Sequence, residues 1–277
     1  MNITQALACS KKLEHASDSP KADVELLLCY LIQRSRTFLF THPEYELSEA
    51  EKSQFDALIA ARLTGEPVAH LTGMRGFWTL DLEVNAQTLI PRPDTECLVE
   101  KALELLPPSA ARVLDLGTGT GAIALALASE CPAWHLTGVD RVPEAVQLAE
   151  KNRARLQLHN VHILQGSWFE PVNDQFDMIV SNPPYIDPED PHLSQGDVRF
   201  EPLSALIAED HGIADIRSIA EQARAFLKPG GRLLFEHGYD QAVQVRELLA
   251  LLGYSEIDSG QDLAGNDRIT WASWNQS

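Results

Sequence analysis

Val113-Leu114-Asp115-Leu116-Gly117-Thr118-Gly119-Thr120-Gly121 decides how this chain folds. VLDL is a short apolar run that reads as a strand. It enters a glycine turn, and the turn opens onto AIALALA, a run of strong helix formers. Glycine lets the backbone turn tightly and lets a ligand come close. The helix N-terminus behind the turn favours negative charge. Outward from this unit the strand-then-helix rhythm continues. Strands are expected over 111–116, 134–139, 160–165, 176–181 and 231–236, with helices at 121–130, 143–156 and 212–228. Such alternation builds a mainly parallel sheet with helices on both faces. After a helix near 240–252, runs at 254–259 and 267–274 are joined too closely for a helical crossover, so they pair antiparallel.

Asp140 closes the second predicted strand, where a carboxylate can take ribose hydroxyls. Gly117, Gly119 and Ala122 satisfy a GxGxxA dinucleotide spacing, which by itself does not separate NAD from other adenosine cofactors. Two features favour S-adenosylmethionine. Asp115 stands just before the turn, where its charge opposes a pyrophosphate but suits an ammonium and a sulfonium. Gly121 follows Thr120 directly, giving GxGxG.

The fourth predicted strand, FDMIV, runs into Ser181-Asn182-Pro183-Pro184-Tyr185. Neither proline has an N–H, so neither continues a ladder. Asn182 is held extended by the proline after it. A stiff corner results, with the Asn182 side-chain oxygen and the Pro183 carbonyl free to accept and Tyr185 as a flat cover. Two acceptors beside an aromatic face suit a planar NH2 group, in an amide or an amino-substituted base.

Residues before Gly73 carry helical patterns. A leucine-rich run over 22–32 follows Asp18-Ser19-Pro20, and Ser48-Glu49-Ala50-Glu51 is a capping box before Phe55, Leu58, Ile59 and Leu63. Residues 77–84 (FWTLDLEV) alternate as a short hairpin, and Asp94 in LIPRPDTE is placed to cap a helix running to Leu106. The domains expected are therefore 1–74, a helical bundle that docks a substrate protein, 75–90, a linker hairpin, and 91–277, the catalytic domain.

The 277 residues carry a net charge of −18, which opposes a large footprint on nucleic acid. Cys9, Cys29, Cys97 and Cys131 form no CxxC pair and read as reduced thiols of a cytoplasmic protein, with no metal site. No signal peptide or membrane-spanning run is expected, and the chain is expected to be a monomer.

DLGTGTGAIALALA, the carboxylate after the second strand and NPPY after the fourth resemble class I S-adenosylmethionine-dependent methyltransferases acting on amino or amide nitrogen. GEPVAHLTGMRGFWTLDLEVN, LIPRPDTECLVE and SNPPYIDPEDPHLSQGDVRFEPLSAL are more specific, and resemble the peptide chain release factor glutamine methyltransferases over essentially the whole chain. The resemblance implies an α/β fold: a doubly wound, mostly parallel seven-stranded sheet with an antiparallel last strand, behind a small all-helical domain. It implies methyl transfer from S-adenosylmethionine, leaving S-adenosylhomocysteine, to the glutamine amide of the Gly-Gly-Gln loop of class I release factors. Gly117, Thr118, Gly119, Thr120, Gly121, Asp140 and Asn182 would bind the cofactor, with Trp168 near its adenine. Asn182, Pro183, Pro184 and Tyr185 would hold the glutamine, with Asn182, Pro183 and Tyr185 catalytic. Relatives carry an acidic residue where Ser167 stands here, so the adenine contact at that position falls to a hydroxyl. Arg92 and Glu96 are placed to shape the cofactor entrance. Glu201, Glu236 and His237 read as structural.

Three rivals remain. A DNA or RNA amino-methyltransferase needs a basic approach surface and a base-flipping pocket. An NAD-linked oxidoreductase would share the glycine turn. A helical adaptor leaves the turn, Asp140 and NPPY without a purpose. S-adenosylmethionine, and not NADH, is expected to raise the melting temperature, because only a ligand of the native state stabilises it.

Overall fold

The computed structural model describes residues 1–194 and 196–275, with backbone only for His192 and Ser194. Gln195, inside one of the family-like stretches, lies outside the described residues, as do Gln276 and Ser277. The chain divides into two compact units, Met1–Met74 with Pro191–Phe200, and Arg75–Asp190 with Glu201–Ser277.

The first unit is built on helices α1 (Ile3–Leu7), α2 (Pro20–Ile32), α3 (Arg36–Thr41), α4 (Glu49–Leu63) and α5 (Val68–Thr72). The capping box opens α4: Glu51 N donates to Ser48 Oγ at 3.2 Å, and Ser48 N donates to Glu51 Oε2 at 2.7 Å. A second box, Asn2 with Gln5, starts α1. Ile3, Leu13, Val24, Leu27, Leu28, Leu39 and Phe55 form its apolar centre. Arg62 is buried among acceptors: Asp23 Oδ2 at 2.7 Å, the Gly65 and Glu66 carbonyls at 3.1 Å each, and Asp197 at 3.4 Å.

The second unit begins with a hairpin, strands β1 (Met74–Phe77) and β2 (Leu80–Glu83), followed by helix α6 (Glu96–Leu105). The hairpin starts earlier than the alternation at 77–84 suggested, because its first strand includes Arg75 and Gly76, which alternation does not mark. Asp94 does not cap α6. A 3-10 turn, Pro93–Thr95, leads into the helix, and the cap position is Thr95 with no side-chain cap bond.

The sheet follows: β3 (Arg112–Leu116), helix α7 (Ala122–Glu130), β4 (His135–Asp140), α8 (Pro143–Arg155), β5 (Val161–Gln165), β6 (Phe176–Ser181), the irregular turn α9 (Glu209–Gly212), α10 (Ala214–Phe226), β7 (Leu227–Glu236), α11 (Ala242–Leu251), β8 (Ser255–Gln261) and β9 (Asp267–Trp274). The strand order is β5-β4-β3-β6-β7-β9-β8. Neighbours from β5 to β7 run parallel, and β9 is antiparallel to both of its partners. Successive strand residues feed opposite cores: Val113, Met178, Val180 and Leu234 face α6 and α7, while Leu114, Leu116, Ile179, Leu233 and Phe235 face α10 and α11. Burial on both faces explains why these strands read as continuous apolar runs. Among the described residues no helix is long and apolar enough to cross a membrane. Cys9 and Cys131 are buried, and Cys29 and Cys97 half-buried.

Asp23→Ala is expected to leave the Arg62 guanidinium buried and short of its charge partner. Urea unfolding should show a loss of about 3–5 kcal/mol.

Candidate active site

Two loops leave the sheet side by side. Leu116 at the end of β3 pairs in register with Ser181 at the end of β6. The Ser181 hydroxyl, fully buried, donates to the Leu116 carbonyl at 2.7 Å. Gly117 and Asn182 thus start one step beyond a fixed pair. The strand order reverses at β3, with β4 on one side and β6 on the other, which is where α/β sheets open a ligand crevice. A cavity of about 980 Å³, open mouth included, lies there, and its wall includes Gly117, Thr118, Gly119, Thr120, Asp140, Trp168, Asn182 and Pro184.

The glycine turn is pinned to β4, since Gly117 N and Thr118 N both donate to the Val139 carbonyl, at 2.9 and 3.0 Å. Gly117 has φ +74°, which calls for glycine, and a Cβ there would meet the Trp168 ring at an ordinary contact of 3.5 Å. Gly119, at φ +55°, has nothing within 4 Å of where a Cβ would sit. Glycine is needed there for its backbone conformation, and the open side is the cavity. Gly121 is not on the cavity wall. It caps α7 at φ +85° and donates its N–H to the Thr118 carbonyl at 2.8 Å. Asn152, fully buried on α8, holds the Thr120 carbonyl through Nδ2 at 3.0 Å and accepts from Glu83 N at 2.8 Å.

Asp115 does not face the cavity. Its Oδ2 accepts from the Thr118 hydroxyl at 2.7 Å and from Ala124 N at 3.2 Å, and its Oδ1 is buried without a partner. Its place before the turn predicts a direct electrostatic part in choosing the cofactor. The alternation of β3 instead turns it under α7, where it ties the turn to the helix. Burial raises its pKa to about 7, against the pull of Thr118 and Ala124 N–H.

Asp140 lies on the cavity wall at the end of β4. Its Oδ2 accepts from Gly119 N and its Oδ1 from Val142 N, both at 2.9 Å. Each oxygen keeps a further lone pair for a hydroxyl. Trp168 has φ +46°, a left-handed conformation that costs a non-glycine residue about 1–2 kcal/mol. Such strain collects where a side chain must be held against a ligand. Ser167 is beside it on the wall.

At the corner, Asn182 Nδ2 donates to Thr95 Oγ1 at 3.3 Å. Among the described residues nothing donates to Asn182 Oδ1 or to the Pro183 carbonyl. Asn182 lies on the wall of the glycine cavity, and Pro183 does not. Pro183 is buried behind Pro184. Tyr185 is not on the cavity wall: its hydroxyl donates to Glu236 Oε1 at 3.2 Å, and its carbonyl accepts from Gln241 Nε2 at 3.0 Å. The phenol anchors the corner from behind, in place of the covering position the motif suggested.

Arg92 and Glu96 are not on the wall either. Arg92 pairs with Glu201 at 2.7 Å, Glu201 also accepts from Ile90 N at 3.0 Å, and Glu96 accepts from Trp78 N at 2.8 Å. They order the chain around the site. Buried His237 is held between the Gly238 carbonyl at 2.9 Å and the Thr270 hydroxyl at 2.8 Å. Sequence reading missed Thr88, Leu89, Thr95 and Asp215, all on the cavity wall. LIPRPDTE drew notice for its charges, while the wall takes its leucine and its threonine.

A glycine turn at a switch point, a carboxylate after the next strand and an NPPY corner with free acceptors on a seven-stranded sheet with one antiparallel strand define a class I methyltransferase. Residues 107–268 match the model of a methyltransferase domain, and residues 7–73 match the PrmC N-terminal domain. The chain is 55% identical to the release factor glutamine methyltransferase of Escherichia coli (strain K12) over 256 residues, 92% of each chain. It is 56% identical to that of Pseudomonas aeruginosa over 260 residues, 93% of this chain and 94% of that one. A crystal structure of a methyltransferase from Pyrococcus furiosus superposes with a TM-score of 0.56, covering 78% of this chain and 98% of that one, and at 20% identity it shows the fold alone. This chain belongs to the release factor glutamine methyltransferase family.

Asp115, and Glu236 with a pKa also near 7, keep their protons in the folded chain at pH values where an unfolded carboxyl has lost its own. The native state therefore binds more protons than the unfolded state between about pH 4 and pH 7, and stability falls as pH rises through that window. Asp115→Asn should make urea-unfolding free energies less dependent on pH across it, since an amide oxygen can still accept from Thr118 and Ala124.

Proposed function

We propose that this protein transfers a methyl group from S-adenosylmethionine to the side-chain amide nitrogen of the glutamine in the Gly-Gly-Gln loop of class I peptide chain release factors. One observation carries the chemistry: Asn182 Oδ1 and the Pro183 carbonyl are acceptors without partners, on a corner that shares its cavity with the glycine turn. Family membership supplies the substrate.

The cofactor fits the residues present. Gly119 is bare toward open space, and the Asp140 carboxylate retains acceptor capacity. Gly117 to Thr120 would take the amino-acid end and Asp140 the ribose, with Trp168 along the adenine. When bound, S-adenosylmethionine supplies a methyl group activated by a sulfonium.

The remaining work falls to the corner. An amide nitrogen is a poor nucleophile because its lone pair is shared with the carbonyl, the same resonance that sets a rotation barrier of about 18–20 kcal/mol. Asn182 Oδ1 and the Pro183 carbonyl would each accept one N–H of the glutamine amide. They draw electron density onto nitrogen and stabilise the positive charge that grows there. Each contact is worth about 3–4 kcal/mol in a dry site, by analogy with oxyanion-hole donors. Fixing the nitrogen in line adds about 7–11 kcal/mol. No base is needed before attack, since the methylated nitrogen becomes strongly acidic and releases its proton afterwards. Pro184 would shape the pocket, and Tyr185, held by Glu236, would keep the corner in place. The helical unit would hold the body of the release factor.

Mass spectrometry after incubation with enzyme and cofactor should place one methyl on the Gly-Gly-Gln glutamine of a release factor and none on DNA or RNA. Asn182→Ala should keep cofactor affinity in calorimetry and lower single-turnover methyl transfer by about 10²–10³-fold. Lost cofactor affinity with unchanged chemistry would reverse the assignment.

A further inference from the structure

The corner that carries the two acceptors is fastened at both ends. Upstream, the Ser181 hydroxyl bonds the Leu116 carbonyl at 2.7 Å. Downstream, the Tyr185 carbonyl accepts from Gln241 Nε2 at 3.0 Å, and Ile186 N donates to the Leu206 carbonyl at 2.9 Å. Only Asn182, Pro183 and Pro184 lie between, and the two prolines have φ fixed by their rings. The direction of the Pro183 carbonyl is therefore set by where the two ends are held.

The downstream fastening converges on one side chain that has no part in the proposed chemistry. Gln241 stands at the start of α11 with 8% of its surface exposed. Its Nε2 donates to two carbonyls, Tyr185 at 3.0 Å and His211 at 3.1 Å. Its Oε1 accepts from Gly238 N, just past β7, at 2.8 Å. Both amide hydrogens and the oxygen are thus spent, each on the main chain of a different segment. Only an amide side chain offers two donors and an acceptor together: a carboxylate has no hydrogen to give, and an ammonium has no lone pair.

The turn that Gln241 holds presses on the same carbonyl. Asp210, His211 and Gly212 are three successive left-handed residues, at φ +54°, +53° and +81°. The first two carry side chains and adopt this conformation at a cost, and such strain persists only where the surroundings hold it. A Cβ on Gly212 would stand 2.1 Å from the Tyr185 oxygen and 2.6 Å from Gln241 Nε2, so glycine is what lets the turn close on Tyr185. His211 Nδ1 lies 2.9 Å from Asp187 Oδ2, which ties the turn to the chain two residues past Tyr185.

We propose that Gln241 is a positioning residue for methyl transfer. By clamping the Tyr185 carbonyl against the 210–212 turn it fixes the far end of the corner, and so aims the Pro183 carbonyl at the substrate amide. This rests on the reading of that corner as the site that holds the glutamine. Gln241, like Tyr185, is not on the cavity wall, so its loss leaves the cofactor's own contacts in place.

The test is single-turnover methyl transfer at saturating cofactor and release factor. Gln241→Met keeps the length of the side chain and removes its donors and acceptor. Gln241→Glu, once ionised, keeps the acceptor for Gly238 N and removes the donors. Both should lower the rate by about 10–10²-fold, the scale of a misplaced reacting group, with cofactor affinity in calorimetry and the KM of the release factor held. Gly212→Ala pushes the same carbonyl from the other side and should show the same split. Combined with Gln241→Met its loss should not multiply, since both act through one atom. Tyr254→Phe is the control: it breaks a buried bond to the Ala220 carbonyl, away from the corner, and should lower the melting temperature without lowering the rate. Full-rate transfer in folded Gln241→Met and Gln241→Glu, or a loss that lies in cofactor affinity, would overturn the proposal. Two measurements need no substrate. In the wild type, couplings across hydrogen bonds should join Gln241 Nε2 to the carbonyl carbons of Tyr185 and His211, and their absence removes the clamp. The Pro183 carbonyl ¹³C resonance should move in Gln241→Met and stay in Tyr254→Phe. If it moves while the wild type methylates no release factor, the proposed function fails and the clamp stands. A resonance that stays in Gln241→Met sinks the clamp, whatever the activity.

Discussion

The site depends on the register of two neighbouring parallel strands. Leu116 lies opposite Ser181, and the Ser181 hydroxyl fastens the pair by bonding the Leu116 carbonyl. Parallel neighbours stand about 4.8 Å apart, so two loops that leave at the same level begin within reach of one another. One loop bears the glycines and the other the amide-binding corner. A slip of one residue would carry the side chains of β6 to the opposite faces of the sheet. It would put Met178 and Val180 against the wrong core and turn Asn182 away. The two hydrophobic cores that select the register therefore also hold the acceptors beside the cavity.

Around that junction the chain spends polar groups on holding loops still. Asn152 grips the Thr120 carbonyl, Asp140 takes the Gly119 N–H, and Asp115 takes Thr118 and Ala124. Two carboxylates, Asp115 and Glu236, are each left with one buried oxygen unpartnered. An unpaired buried polar atom is costly, and a charge more so. Their position is the informative part: one lies beneath the glycine turn and the other behind the corner. Both raise their proton affinity to near pH 7, which lessens the cost of burial and makes the loops they support sensitive to pH.

The sheet was legible because its signals are local. VLDL, FDMIV and GRLLFE are apolar runs stopped by glycine, proline or charge, and each forms a strand. The glycine turn and NPPY were legible for the same reason, since each is a strand end whose chemistry is carried by adjacent residues. What sequence did not reveal depends on which way a side chain turns. Asp115 and Asp140 both follow apolar runs, yet pleating sends Asp115 under α7 and leaves Asp140 on the cavity wall. Asp94 looks like a cap, but the 3-10 turn moves the cap to Thr95. Arg92 and Glu96 are conspicuous charges with structural partners distant in the chain, and Thr95, a small residue between them, is the one that touches Asn182. Pairings across such separations are set by the closed sheet and are not carried by any single stretch.

The corner also shows why the acceptors are an amide oxygen and a backbone carbonyl in place of a carboxylate. The group to be held offers two N–H donors and has to become more electron-rich without losing a proton first. A carboxylate at this point would be buried, would itself take up a proton near neutrality as Glu236 and Asp115 do, and would then present a donor to a donor. Asn182 and Pro183 accept at every pH. A carbonyl in a turn is commonly consumed by a backbone N–H further along the chain, and among the described residues none takes the Pro183 carbonyl. The consecutive prolines stiffen the corner, and its two acceptors are left without donors among the described residues.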